Sequence, residues 1–163
     1  MRVLCTHPKD PSLAELPPEG AWDYLTELER LLDSSIDSVS VACPFFDDTG
    51  IEILSAANRR SGHKPRWEIF TRRHSPERLK SVARELGWGL YEYMGTPGGE
   101  EERGFHCKLI VVDERRAILG SANLFYANLV ENLEIGVLLD EAGEVLPLVK
   151  VLRALKRASR RVS

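Results

Sequence analysis

No apolar run in this chain approaches the ~18 residues a membrane-spanning helix needs. The opening stretch, MRVLCTHPKDPSLAELPPEG, lacks the apolar core of a secretory leader. A soluble, cytoplasmic protein is the expectation, with no membrane among its partners. Cysteine is scarce: Cys5, Cys43 and Cys107 are odd in number and widely spaced, and no CxxC pair occurs. That pattern argues against a zinc ribbon or a disulfide framework and is read as buried free thiols. No metal site and no cofactor are expected. Internal repeats and low-complexity segments are also missing. Aromatics make up 7% of the chain and the net charge is only −3, so neither disorder nor a strongly polyanionic or polycationic character follows.

What is present is 163 residues, enough for one domain (1–163) with one core. The charge is uneven. Residues 1–57 hold 3 basic against 11 acidic side chains, and residues 58–163 hold 19 against 14. The basic residues cluster in RRSGHKPR (59–66, with Lys64 and Arg66), at Arg72 and Arg73, and in KVLRALKRASRR (150–161). Such clusters suit a polyanion, and they equally suit solvated loops and helix faces.

Periodicity orders the chain. Residues 1–20 read as a proline-rich N-terminal arm with a short strand at RVLC. Residues 21–34 carry Trp22, Leu25, Leu28 and Leu32 at helical spacing. DSVSVAC (37–43) is a strand, and the segment from Asp47 to Gly62 a helix. RWEIFT (66–71) is a strand. SPERLKSVARELG is a helix with Ser75 as N-cap, Pro76 in its first turn and Gly87 as its stop. WGLYEYM (88–94) is a strand, followed by a glycine-rich loop over 95–104. Then come two strands, FHCKLIVVD and RRAILGS, joined by a tight turn at 113–115. A loop or short helix covers 124–131, a strand runs over 132–140, and a helix over 141–161 has Leu148, Val151, Leu152 and Leu155 on its apolar face. Strand–helix alternation followed by consecutive strands predicts a layered α/β/α sandwich around a central mixed β-sheet.

Polar residues threaded among strand formers in HCKLIVVDERRAILGSAN (106–123) mark the candidate site. Residues two apart on a strand share a face, so His106 and Lys108 point together, while Cys107 turns to the core. Ser121 with Asn123, and Asn132 with Glu134, share parity in the same way. On neighbouring strands they would gather an imidazole, an ammonium, a hydroxyl, an amide and a carboxylate. Lys108 and Asn123 are donors suited to phosphoryl oxygens. His106 can attack phosphorus or carry a proton, and Glu134 can accept from its second ring nitrogen. Asp113 has the opposite parity and is read as support for the turn. This set implies displacement at a phosphodiester with fixed positive charge in place of a metal.

The spacing His106-x-Lys108, four residues, Asp113, six residues, Gly120-Ser121-x-Asn123 resembles the HKD signature of the phospholipase D superfamily. A second HxK, at His7-Pro8-Lys9, has no GSxN behind it and is read as coincidence. The likeness is strong over about 35 residues, through GSANLFYANLVENLEIGV, and Glu134 falls where the family has its histidine-orienting glutamate. The resemblance implies the phospholipase D-like fold and a metal-independent phosphodiesterase acting through a phosphohistidine. Lys108 and Asn123 would hold phosphoryl oxygens, Ser121 would hydrogen-bond within the site, and Glu134 would orient His106. Asp113 and Gly120 would be structural members of the motif. Family members typically join two such motifs in one site, and this chain has one, so the resemblance implies a homodimer sharing the site.

Small single-motif members are mostly nucleases, which implies a DNA or RNA substrate, with Lys64, Arg66, Arg72 and Arg73 as candidate contacts. The SAN…ENLEIGVLL phrasing is also similar to phospholipase D-type proteins of restriction and DISARM-type anti-phage systems, which would add other subunits as partners. Two further readings stand beside this one. One is a lipid-directed phospholipase or phosphatidyl transferase. The other is a non-catalytic nucleic-acid-binding subunit of a defence or repair complex. Glu100, Glu101 and Glu102 precede His106 closely; they are read as a solvated loop or as an acidic lid that would limit access.

Overall fold

The computed structural model describes residues 1–8, 10–95 and 105–163. Lys9 and the acidic triplet at 100–102 therefore lie outside the described residues. Nine strands form one mixed sheet: β1 (Arg2–Cys5), β2 (Trp22–Asp23), β3 (Ser38–Ala42), β4 (Arg66–Arg72), β5 (Gly89–Tyr93), β6 (Leu109–Val112), β7 (Arg116–Gly120), β8 (Ile135–Leu139) and β9 (Ser159–Arg161). Their order is β2-β1-β8-β7-β6-β3-β4-β5-β9. β3, β4 and β5 are parallel, whereas β6, β7 and β8 run antiparallel to their neighbours. The helices are α1 (Tyr24–Asp33), α2 (Asp48–Arg60), α3 (Glu77–Leu86) and α4 (Ala142–Arg157).

Alternation along the strands builds two cores. Val39, Val41, Trp67, Ile69 and Leu90 point to one face, where Leu28, Leu32, Ile51, Leu54 and Leu79 of α1, α2 and α3 cover them. Ala42, Phe70, Tyr91, Leu109, Val111 and Ala117 point to the other, against Val145, Val149 and Leu152 of α4. This is the α/β/α sandwich expected from the sequence. Stacked pairs sit on both sides: Trp67 on Trp88 and Phe70 on Tyr91, each with ring centres 5.1 Å apart.

Local details differ from the sequence reading. The strand expected at RVLC forms as β1, but as an inner strand paired with β2 and β8 and not on a free arm. Ser75 does not cap α3. Pro76 occupies the cap position, and the backbone N–H and hydroxyl of Ser75 donate to buried Glu92 at 3.0 and 2.7 Å. α4 ends at Arg157, and β9 follows as an edge strand on β5. Val151 faces solvent, because the stripe that meets the sheet is Val145–Val149–Leu152. Several residues of the basic clusters are engaged in ion pairs. Arg60 meets Asp33, Arg153 meets Glu114, Lys156 meets Glu68 and Arg160 meets Glu92. The first two of these pairs are exposed and contribute little individually, whereas Glu68 and Glu92 are largely buried.

Candidate active site

The antiparallel step from β3 to β6 fixes where the motif lies. Ala42 pairs with Leu109, so Cys43, leaving the carboxyl end of β3, stands beside Lys108, entering β6. Gly120 at the end of β7 donates its N–H to the Lys108 carbonyl at 3.2 Å and pairs with Gly136 of β8. Ser121 N–H then donates to the Ile135 carbonyl at 3.0 Å. One end of the sheet thus collects residues 43, 106–108, 120–123 and 134. The polar residues of the motif stand just outside the strands: β6 begins only at Leu109, and β8 only at Ile135. The strand ends bring them to one place, with His106 exposed and Lys108 and Glu134 buried beneath it.

His106 is exposed and Lys108 is buried. The Lys108 ammonium lies 3.1 Å from Nε2 and 3.2 Å from Nδ1 of His106, and donates to the His106 carbonyl at 3.1 Å. The Glu134 carboxylate is buried and accepts from the Ser121 hydroxyl and the Asn128 amide. Among the described residues, its side-chain hydrogen bonds run to those two residues and not to His106. A carboxylate offers about four lone-pair sites, so two donors leave room for an imidazole N–H. The Cys43 thiol is 3.1 Å from the Phe45 carbonyl and 3.8 Å from Asn123 Oδ1. Burial pushes that thiol up to about 11, so it stays protonated and can donate at neutral pH. Asn123 Oδ1 is thus turned toward the thiol.

Gly120 is required by close approach. A Cβ there would lie 2.9 Å from the Ile135 carbonyl oxygen and 3.0 Å from the Tyr24 hydroxyl. The Tyr24 ring packs across the Gly120–Gly136 pair, and burial raises its phenol above the ordinary range. Asp113 is a staple. Its carboxylate accepts from the backbone N–H groups of Ile36 (3.1 Å), Asp37 (2.8 Å) and Ser38 (2.9 Å). Asp113 and Glu114 both have φ of 54°, the left-handed pair of a tight hairpin, closed by Arg115 N–H to the Val112 carbonyl at 3.1 Å. Cys107 is partly buried against the α4-side core. Among the described residues, no three His, Cys, Asp or Glu side chains are grouped to hold a metal ion.

The candidate basic contacts divide. Arg72 and Arg73 leave the carboxyl end of β4, whose Phe70 carbonyl accepts from Cys43 N–H, so they stand at the site end of the sheet. Lys64 and Arg66 stand at the opposite end of β4, about 20 Å away at ~3.3 Å per residue. Arg66 faces Glu68 at 3.8 Å there. The structure does not bring these two to the motif.

Three contributors were not read from the sequence. Thr6, buried on the N-terminal segment, accepts from Glu134 N–H at 2.8 Å and donates to the Asn132 carbonyl at 2.6 Å. Asn128 reaches Glu134 from a π-helical turn over Ala127–Glu131, a distortion often found at functional sites. Cys43 begins the CPFF segment at the carboxyl end of a parallel strand. The rule that α/β sheets bind ligands at such ends was the available signal for it; Thr6 and Asn128 had none.

Residues 28–158 match the family model described as "Cardiolipin synthase, PLD-like domain". The chain belongs to the phospholipase D superfamily. This phospholipase D-like chain is similar over its whole fold to the phospholipase D family member Nuc of Salmonella typhimurium. The TM-score is 0.72 and the identity 18%, covering 98% of this chain and 95% of that one. NucT of Helicobacter pylori is similar with a TM-score of 0.66 at 17% identity, covering 84% and 89%. In sequence it resembles DISARM protein DrmC of Bacillus paralicheniformis, 40% identical over 63 residues. That stretch is 39% of this chain and only 24% of DrmC. No helix among the described residues is long and apolar enough to cross a membrane.

Proposed function

We propose that this chain is a nuclease that hydrolyses DNA or RNA phosphodiester bonds without a metal ion, at a site completed by a second copy. The observation that carries the reading is the Lys108 ammonium held on the His106 imidazole, with Ser121, Asn123 and Glu134 at the same sheet end. His106 attacks phosphorus, forming the N–P bond as the P–O bond to the leaving nucleoside breaks. His106 of the partner subunit gives its proton to the departing oxygen. It then takes a proton from water, whose oxygen displaces the histidine and frees the phosphate monoester. Lys108 and Asn123 hold the phosphoryl oxygens as charge builds on them. Glu134 orients the imidazole with its remaining lone pairs, and Arg72 and Arg73 contact flanking phosphates.

An apolar strip supports the second copy. Leu119 and Val3 flank Val137 on one sheet face beyond α4, and Ile135, two residues before Val137, shares that face beside Glu134. Leu119, Val3 and Ile135 are 37%, 46% and 56% exposed. The likeness to DrmC supports work within an anti-phage defence system alongside other subunits.

The test is hydrolysis of labelled single- and double-stranded DNA and RNA in EDTA, beside phosphatidylglycerol vesicles, with light scattering of the same preparation. Cleavage of nucleic acid that survives EDTA and disappears in His106→Ala, by a dimer, is expected. Turnover of the vesicles alone, or full activity from a monomer, would overturn the reading.

A further inference from the structure

A half-open groove of about 380 Å³ adjoins the site on the β3–β4 side, within the ~300–1,000 Å³ of small-molecule sites. Phe45, Arg72, Arg73 and His74 line it, and none of the described residues that line it is acidic. Phe45 is 38% exposed, so its ring contributes little to the core. The Arg72 guanidinium carbon lies 5.1 Å from the centre of the Phe45 ring. Arg73 Nε is buried with no hydrogen-bond partner among the described residues. His74 holds φ of 61°, a costly backbone state outside glycine, of the kind concentrated at binding sites.

The groove is continuous with the candidate active site. Phe45 faces Phe125, two residues beyond Asn123, with ring centres 6.0 Å apart. Phe46 bridges to Leu124, and the Cys43 thiol links the Phe45 carbonyl to Asn123. The groove is also preformed. The Thr71 hydroxyl donates to the Pro44 carbonyl at 3.3 Å, and the Glu92 carboxylate anchors Ser75 at its far wall.

An exposed ring flanked by two guanidiniums not engaged in ion pairs among the described residues matches one chemistry in particular. It suits an unstacked nucleobase whose adjoining phosphates meet the guanidiniums. A duplex keeps its base faces stacked and offers only edges and backbone, so it cannot use the Phe45 ring. We propose that this groove is a nucleotide subsite beside the scissile diester, with the base stacked on Phe45, and that it makes the enzyme selective for single-stranded nucleic acid. This rests on the nuclease reading and adds the strandedness of the substrate to it.

The experiment compares wild type with Phe45→Leu, Phe45→Trp and Arg73→Gln, all in EDTA. The substrates are labelled oligo(dT), a blunt duplex and bis(p-nitrophenyl) phosphate, which has no base to stack. Wild type should show a KM for oligo(dT) at least ~10-fold below that for duplex, the order of effect expected from one stacked base. Phe45→Leu should raise the oligo(dT) KM by about tenfold, move the duplex and small-diester constants less than about twofold, and be rescued by Phe45→Trp. Arg73→Gln should lower the slope of log K against log salt by about one.

Equal KM values for oligo(dT) and duplex in wild type would overturn the subsite while leaving the nuclease reading intact. So would a Phe45→Leu loss of equal size on the baseless diester. Wild type that hydrolyses the small diester but neither nucleic acid overturns the nuclease reading, and the subsite with it.

Discussion

Gly50→Ala tests how the Asn123 segment is seated. Gly50 lies in the first turn of α2, where alanine would ordinarily stabilise a helix by up to ~1 kcal/mol. Here an added Cβ would fall 2.1 Å from the Leu124 carbonyl oxygen, 2.6 Å from Leu124 Cβ and 2.7 Å from its carbonyl carbon. Ordinary contacts between heavy atoms are ~3.5–4 Å, so Leu124 or α2 must move by more than ~1 Å. The same carbonyl accepts from Asp47 N–H at 3.1 Å, and the Asp47 carboxylate accepts from Gly50 N–H and Tyr126 N–H at 2.9 and 2.7 Å. The shift therefore strains a cross-linked joint between the start of α2 and residues 124–126. Overpacking costs ~1–3 kcal/mol, and a lost hydrogen bond about 1 more, against the helical gain. A net destabilisation of ~1–3 kcal/mol lowers Tm by roughly 2–12 °C at this chain length. Asn123 precedes Leu124 directly, and a displacement near 1 Å at a phosphoryl ligand can cost ~100-fold in rate.

Gly143→Ala is the control, because nothing lies within 4 Å of a Cβ at that position in α4. Thermal melting by circular dichroism, and kcat on a small phosphodiester well below Tm, would be compared across the three proteins. Gly50→Ala that melts with Gly143→Ala would refute the close-approach argument. A lowered Tm with unchanged kcat would refute the claim that this joint seats Asn123.

Asp113→Ala removes the acceptor for three backbone N–H groups on the approach to β3, at a cost of roughly 2–4 kcal/mol in denaturant unfolding. Its kcat per folded molecule should change little, and a large catalytic loss without destabilisation would contradict the staple role. Glu92 gives the pH prediction. Burial alone would raise its carboxyl, but the Ser75 donors and Arg160 outweigh burial and hold it below the usual value. A depressed carboxylate contributes stability above its unfolded pKa of ~4.3, and that contribution is lost as pH falls through the folded value. Wild type should therefore lose stability below about pH 4 more steeply than Glu92→Gln. Parallel acid-unfolding curves would show that the Ser75 anchor is not electrostatic.

The HKD spacing carried the family, and strand–helix alternation the α/β/α class, because both are local properties of the sequence. Helix and strand positions followed from period and punctuation for the same reason. Local rules failed where a distant group competed. Ser75 looked like an N-cap until Glu92, seventeen residues on, took both of its donors. Val151 fits a helical stripe by spacing, but the direction of approach to the sheet selected the neighbouring stripe. Lys64, Arg66, Arg72 and Arg73 look alike as basic residues flanking one strand. Only the sheet, with β6 antiparallel to β3, decides which end of β4 faces His106. Thr6 reaches Glu134 across 128 residues, and Phe45 meets Phe125 across 80. The sequence by itself determined the family and the class of fold, because motif spacing and the periods of helix and strand are local. The groove beside it, and which cations stand there, depended on pairings between remote strands that no local pattern encodes.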